Sequence, residues 1–323
     1  MAPTDTPVMM SGISIYRAAR GKIMEQWINA ESRDKMEMRQ GYAAINGTHL
    51  YFQMAGSGYP IVFLHGFAGD SRLFDDQFEV FAQHCQIICY DLRGFGKSDL
   101  PPSEPYRHYD DLKALLEYLG IARADLVGQS MGGAIAIDFV LAHPAMTRAL
   151  ILLDSMLGGF EHSPEFLAWF AFLASQASDS GVETAKALLL DTPLLEGARA
   201  KADVAQRLGQ TFSEYSGWHW VNEDPEIGLE PPAIQRLEQI HTPTLIIAGA
   251  RTDSDLRSIA DLLQERIPNA REIILDGVGH VPNMEDPQTV NELVLDFLAS
   301  LSTTWSQYEP SSQLPGASGS SLR

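Results

Sequence analysis

The chain has 323 residues, 45% hydrophobic and 20% charged, a composition that supports a large buried core and excludes collagen, coiled coil and extended disorder for most of its length. Its 42 acidic against 23 basic side chains leave a formal net charge of −19. Such a surface repels phosphate backbones and anionic lipid, so neither nucleic acid nor a membrane is an expected partner.

Met1 to Met10 lacks the basic and apolar regions of a secretory signal, and no run of about 18 apolar residues occurs, which makes the cytoplasm the default compartment. Residues 1–41 form an N-terminal extension of unassigned role, with a plausible strand and helix between Gly12 and Trp27. Asn46-Gly47 then reads as a hairpin turn between Tyr42–Ile45 and His49–Phe52. From there short apolar runs alternate with helical patterns: Ile61–Leu64, Ile87–Tyr90, Asp125–Val127, Leu150–Leu153, Thr244–Ile247 and Glu272–Leu275 are the strands. Tyr109–Leu119 and Leu256–Ile267 are helices between them. Strands that are apolar throughout belong to a parallel sheet covered on both faces, so the expected architecture is α/β, a doubly wound and mostly parallel sheet. Cys85 and Cys89 fall on one strand face about 13 Å apart, too far for a disulfide.

Between Leu153 and Thr244 the alternation gives way to helical patterns rich in aromatics, which marks an inserted helical cap over 156–235, with the core over 42–155 and 236–301. Phe166, Trp169, Phe170 and Leu173 share one helix face, and Phe212, Tyr215, Trp218 and Trp220 form a second cluster. These rings either fasten the cap to the core or line an apolar substrate pocket. Residues 302–323, rich in Ser, Gly and Pro, cannot bury a core and are expected to be disordered.

Gly128-Gln129-Ser130-Met131-Gly132 is a G-x-S-x-G pentapeptide in the required setting, a strand before it and an apolar helix over Gly133–Ala142 after it. A side chain at position 128 or 132 would collide in such a turn, and the strain projects the Ser130 hydroxyl outward. A serine hydroxyl needs an adjacent base of near-neutral pKa. Among nine histidines, His280 sits in the Gly-rich loop Gly277-Val278-Gly279-His280 directly after a core strand, where site residues collect.

With Leu64-His65-Gly66-Phe67-Ala68-Gly69 and Asp91-Leu92-Arg93-Gly94-Phe95-Gly96-Lys97-Ser98, these motifs resemble the α/β-hydrolase superfamily, of the esterase and lactonase type with a helical cap, over roughly 42–301. The resemblance implies a serine hydrolase with oxyanion donors at the backbone amides of Phe67 and Met131, and His65 shaping the oxyanion loop. It leaves the acid open. Family members usually carry an aspartate three residues after the glycine closing the seventh strand, and here that position is Thr252. A one-residue shift favours Asp253, with Asp255 and Asp154 as alternatives that satisfy the same chain order.

Gly96-Lys97-Ser98 is not a phosphate loop, because Asp91 stands where its first glycine belongs. No motif of metal-ligand spacing occurs, so neither cofactor nor metal is implied. The expected activity is hydrolysis of a small apolar ester or lactone through Ser130, His280 and Asp253. The partner is a small-molecule apolar acyl substrate, in an oligomeric state the sequence leaves unknown. Carbon–carbon bond hydrolases and cofactor-free haloperoxidases share the triad, and a ligand-sensing protein of this fold is the reading if the acid is lost.

Overall fold

The computed structural model of the chain describes residues 14–19, 22–28 and 38–301. The apolar runs assemble as a ten-stranded sheet. Its strands are β1 (Ser14–Ala19), β2 (Lys22–Ile28), β3 (Met38–Ile45), β4 (Thr48–Ala55), β5 (Pro60–Leu64), β6 (Gln86–Tyr90), β7 (Ala124–Gln129), β8 (Thr147–Leu153), β9 (Thr244–Gly249) and β10 (Ala270–Leu275). Their spatial order is β1-β2-β3-β4-β6-β5-β7-β8-β9-β10. The first four strands and the β4–β6 contact are antiparallel, and everything from β6 to β10 is parallel. The order reverses at β5 and β7, so the crevice beyond their carboxyl ends is where an open α/β sheet presents its site.

The apolar runs read as core strands do become β5 to β10, and β5, β7 and β9 are buried along their whole length. Asn46 and Gly47 both take positive φ, 44° and 73°, as a two-residue hairpin turn between twisted strands requires. The extension before it differs from expectation: the segment ending near Trp27 is a second strand rather than a helix. β2 pairs with β3 from Glu25↔Gly41 to Ile28↔Met38, and that ladder overrides the weak local helical pattern. The tail at 302–323 lies outside the described residues.

Helices α1 (Asp75–Ala82), α2 (His108–Tyr118) and α3 (Met131–Ala142) cover the sheet in its first half. The excursion between β8 and β9 is helical: α4 (Pro164–Ser180), α5 (Val182–Leu189), α6 (Glu196–Arg199), α7 (Ala202–Glu214) and α8 (Trp218–Val221). The chain returns through α9 (Ser254–Arg266), α10 (Pro282–Glu285) and α11 (Pro287–Ser300). Cys85 and Cys89 are both free and buried. Among the described residues no helix is long and apolar enough to cross a membrane.

The leg by which the insertion returns to the core crosses Asp138 on α3, whose Oδ2 accepts a hydrogen bond from Leu229 N–H at 3.4 Å while Oδ1 has no partner among the described residues. Burial pushes the Asp138 carboxyl up to about 6. A carboxyl whose folded pKa is raised contributes fully below its unfolded value, near 4, and that contribution is lost as pH rises through 6. Asp138→Asn is therefore expected to raise the melting temperature at pH 8 by an amount corresponding to on the order of 1 kcal/mol, and by roughly a third of that at pH 4.5. Parallel melts of both proteins at the two pH values check the sign.

Candidate active site

Ser130 stands between β7 and α3 with φ 51° and ψ −118°, a strained backbone for a residue with a side chain. The glycines around it are required by space. A Cβ on Gly128 would lie 2.4 Å from Gly132 O, and one on Gly132 would lie 2.2 Å from Leu64 O. The hydroxyl meets His280, from the loop after β10, with Oγ 3.0 Å from Nε2. On the far side of the ring Nδ1 lies 2.6 Å from Asp154 Oδ2. A carboxylate can only accept, so Nδ1 carries the proton and Nε2 is free to accept from Ser130. All three residues are buried, with Asp154 1% exposed.

Asp154 directly follows β8 and takes a positive φ of 46°. Its N–H donates to Ile247 O at 2.8 Å, which locks the turn against β9. Its carboxylate also accepts from Gly249 N–H at 3.3 Å and from the Thr252 hydroxyl at 2.5 Å. The position where the family usually places its acid thus holds a threonine that donates to the carboxylate in contact with the histidine.

Asp253, the favoured acid of the sequence reading, does not meet His280. It is the N-cap of α9, and its Oδ1 accepts from Asp255 N–H at 2.8 Å. Asp255 is also elsewhere: Oδ2 accepts from Ser163 N–H at 2.7 Å and lies 3.2 Å from His162 Nδ1, tying down the start of α4. The physical reason is the loop after β9. Ala250 and Arg251 N–H bind Leu275 O and Val278 O, so the chain turns outward with Thr252 reaching the Asp154 carboxylate and Asp253 already on α9.

On the other side of Ser130 the loop after β5 is rigid. His65 is fully buried, Nδ1–H donating to Gly66 O at 2.8 Å and Nε2 accepting from Leu92 N–H at 3.0 Å. Burial, the largest influence, holds its pKa below the usual histidine value, so it is a neutral brace. Among the described residues the N–H groups of Phe67 and Met131 carry no hydrogen bond, as expected of donors kept for a developing oxyanion.

Two further side chains escaped the sequence reading. Gln129 Nε2 donates to His280 O at 3.0 Å. Glu285, 3% exposed, accepts from Gly279 N–H at 2.7 Å with Oε2 and from Val281 N–H at 3.1 Å with Oε1, bracketing His280 from both sides. The available signal was an acid five residues after the histidine, directly after Met284. Glu285→Gln leaves one of those N–H groups facing an amide NH2, so kcat is expected to fall roughly ten- to a hundredfold with KM little changed, alongside about 1–3 kcal/mol of stability. Steady-state kinetics and a denaturant titration would show both.

The aromatics of the insertion divide between two surroundings. Tyr215, His219 and Trp220 pack on Phe67 with ring centroids 5.6, 5.9 and 6.2 Å away, and His219 stacks on Phe95 at 4.4 Å, which fastens the insertion to the core. Phe170 and Phe212 instead line a cavity of about 60 Å³ that contains Ser130 and His280. Among the described residues no group of three or more His, Cys, Asp or Glu side chains is placed to hold a metal ion.

The sequence profile described as the alpha/beta hydrolase family matches residues 61–293. A putative carbamate hydrolase, RutD of Pseudomonas savastanoi, is 29% identical over 245 residues, covering 74% of this chain and 93% of its own. The AB hydrolase superfamily protein YisY of Bacillus subtilis is 30% identical, covering 77% and 94%. Among solved structures, Est816, described as an N-acyl homoserine lactone degrading enzyme, superposes with a TM-score of 0.66 at 29% identity, covering 79% of this chain and 99% of its own. The enol-lactonase from Burkholderia xenovorans, 23% identical with a TM-score of 0.68 over 80% of this chain and 99% of its own, shares the fold. The chain therefore belongs to the alpha/beta hydrolase family and is a hydrolytic enzyme.

Proposed function

We propose that the protein is a serine hydrolase acting on an apolar ester or lactone through Ser130, His280 and Asp154. The observation that carries this is the unbroken contact from the Ser130 hydroxyl through the His280 ring to the Asp154 carboxylate, at 3.0 and 2.6 Å. Ser130 Oγ attacks the substrate carbonyl carbon as Nε2 of His280 takes its proton. The carbonyl oxygen becomes an oxyanion held by the Phe67 and Met131 amides. Asp154 keeps the ring in the reactive tautomer and stabilises the imidazolium. His280 then protonates the departing alkoxide, leaving an acyl group on Ser130, and a water activated by the same ring releases the acid. The apolar walls of the cavity favour an apolar acyl group over a charged one.

The Asp154 contact also favours turnover over a ligand-sensing role, since the imidazole is already oriented. A fluorophosphonate should phosphonylate Ser130 with loss of fluoride, seen as one added phosphonyl mass on the intact chain and absent in Ser130→Ala. Labelling that persists in that variant, or none in the wild type, would contradict the assignment.

A further inference from the structure

Two cavities meet under α4. The smaller, about 60 Å³, holds Ser130 and His280. The larger, about 180 Å³, touches neither of them and is walled by Phe166, Trp169, Leu173 and Pro193. Phe170, Leu189, Thr192 and Leu194 line both, so these four side chains form the partition. The outer cavity carries the carboxylates of Glu165 and Asp253 and no basic side chain. Trp169, 37% exposed, puts it in reach of solvent. One polar group in the partition is unsatisfied: Thr192 is 5% exposed and, among the described residues, its hydroxyl has no hydrogen-bond partner.

A buried hydroxyl without a partner is unfavourable until something accepts from it, which points to an occupant bearing an acceptor oxygen. An apolar void beside a reactive serine is filled at a gain by hydrocarbon, and its carboxylates repel an anionic end. We propose that the outer cavity is a subsite for an extended apolar arm of the substrate. The arm carries no negative charge, threads the partition past Phe170 and Leu194, and places an ether or carbonyl oxygen against Thr192. This inference rests on the serine-hydrolase reading and extends it: the inner cavity alone holds only the reacting group and its first carbons.

The experiment compares kcat/KM over p-nitrophenyl esters from acetate to dodecanoate and over alkyl acetates of matching length, each normalised to the acetate of the same variant. Wild-type values should rise roughly three- to fourfold for each methylene buried, then level off once the chain reaches the Trp169 mouth. A rise in the acyl series assigns the arm to the acid, and a rise in the alkyl series assigns it to the alcohol. Leu173→Phe should cut the rise short. A chain ending in carboxylate should be at least tenfold poorer than its methyl-ended equivalent, and Glu165→Lys, on the exposed rim, should narrow that gap even if Leu173→Phe does not fold. Thr192→Val should erase the preference for an oxygen-containing chain over the plain alkyl chain of equal length. Flat profiles in both series with acetate still cleaved would overturn the inference. Loss of acetate cleavage together with loss of Ser130 labelling would instead overturn the reading beneath it.

Discussion

Asp154→Asn should reduce kcat on a short p-nitrophenyl ester by about 10⁴-fold, while Asp253→Asn changes it less than about threefold. Asparagine at 154 presents an amide to His280 Nδ1, and its NH2 end would favour the tautomer with the proton on Nε2, the nitrogen that must accept from Ser130. The shape of the site is otherwise conserved, because Gly249 N–H still finds the amide oxygen in the place of Oδ1, and the Thr252 hydroxyl, now facing the NH2, turns to accept from it. Asp253 has a different task, capping α9. Asparagine is nearly as good a cap, so Asp253→Ala, at about 1 kcal/mol, is the substitution that would register in a melt. Kinetics of Asp154→Asn and Asp253→Asn separate the two carboxylates directly, and an equal loss in both would refute the assignment of Asp154.

Ser130→Ala and His280→Ala should each remove about 10⁶-fold from kcat, and the double variant should fall no further. Nucleophile and base act as one unit: without the hydroxyl the ring has no proton to take, and without the ring the hydroxyl at 3.0 Å is an ordinary alcohol. The residual rate belongs to the backbone N–H groups of Phe67 and Met131, which neither substitution touches. A double variant markedly slower than both singles would mean that the two residues contribute separately. All three variants can be measured at one pH with enzyme in excess, so that a slow single turnover is still visible.

The parallel half of the sheet was legible in the sequence because strands buried on both faces are apolar almost throughout, as β5 is along its length and β9 is from Leu245 onward. Ser130 and His280 were legible because steric rules confine them: glycines flank the elbow, and a Gly-rich loop presents the ring. The acid was not, because nothing local distinguishes a carboxylate that orients a histidine from one that caps a helix. Asp253 before Ser254-Asp255-Leu256 carries the residue type of an N-cap, and capping α9 is what the structure has it do. Asp154 ends a strand, a position whose partner, 126 residues away, appears only once β8 and β10 lie on either side of β9. β2 was misjudged for a similar reason, since its partner strand and not its own pattern determines its state.

The close contact of α6 with the histidine loop couples this end of the insertion to the base. A Cβ on Gly197 would come within 3.0 Å of Gly279 Cα and 2.6 Å of Glu285 Oε2, and Lys201 donates to Glu285 O, so this end of the insertion is pinned to the loop that carries His280. Lifting it would unseat the base. The alignment of the base is therefore set in part from outside the core, by a short helix of the insertion.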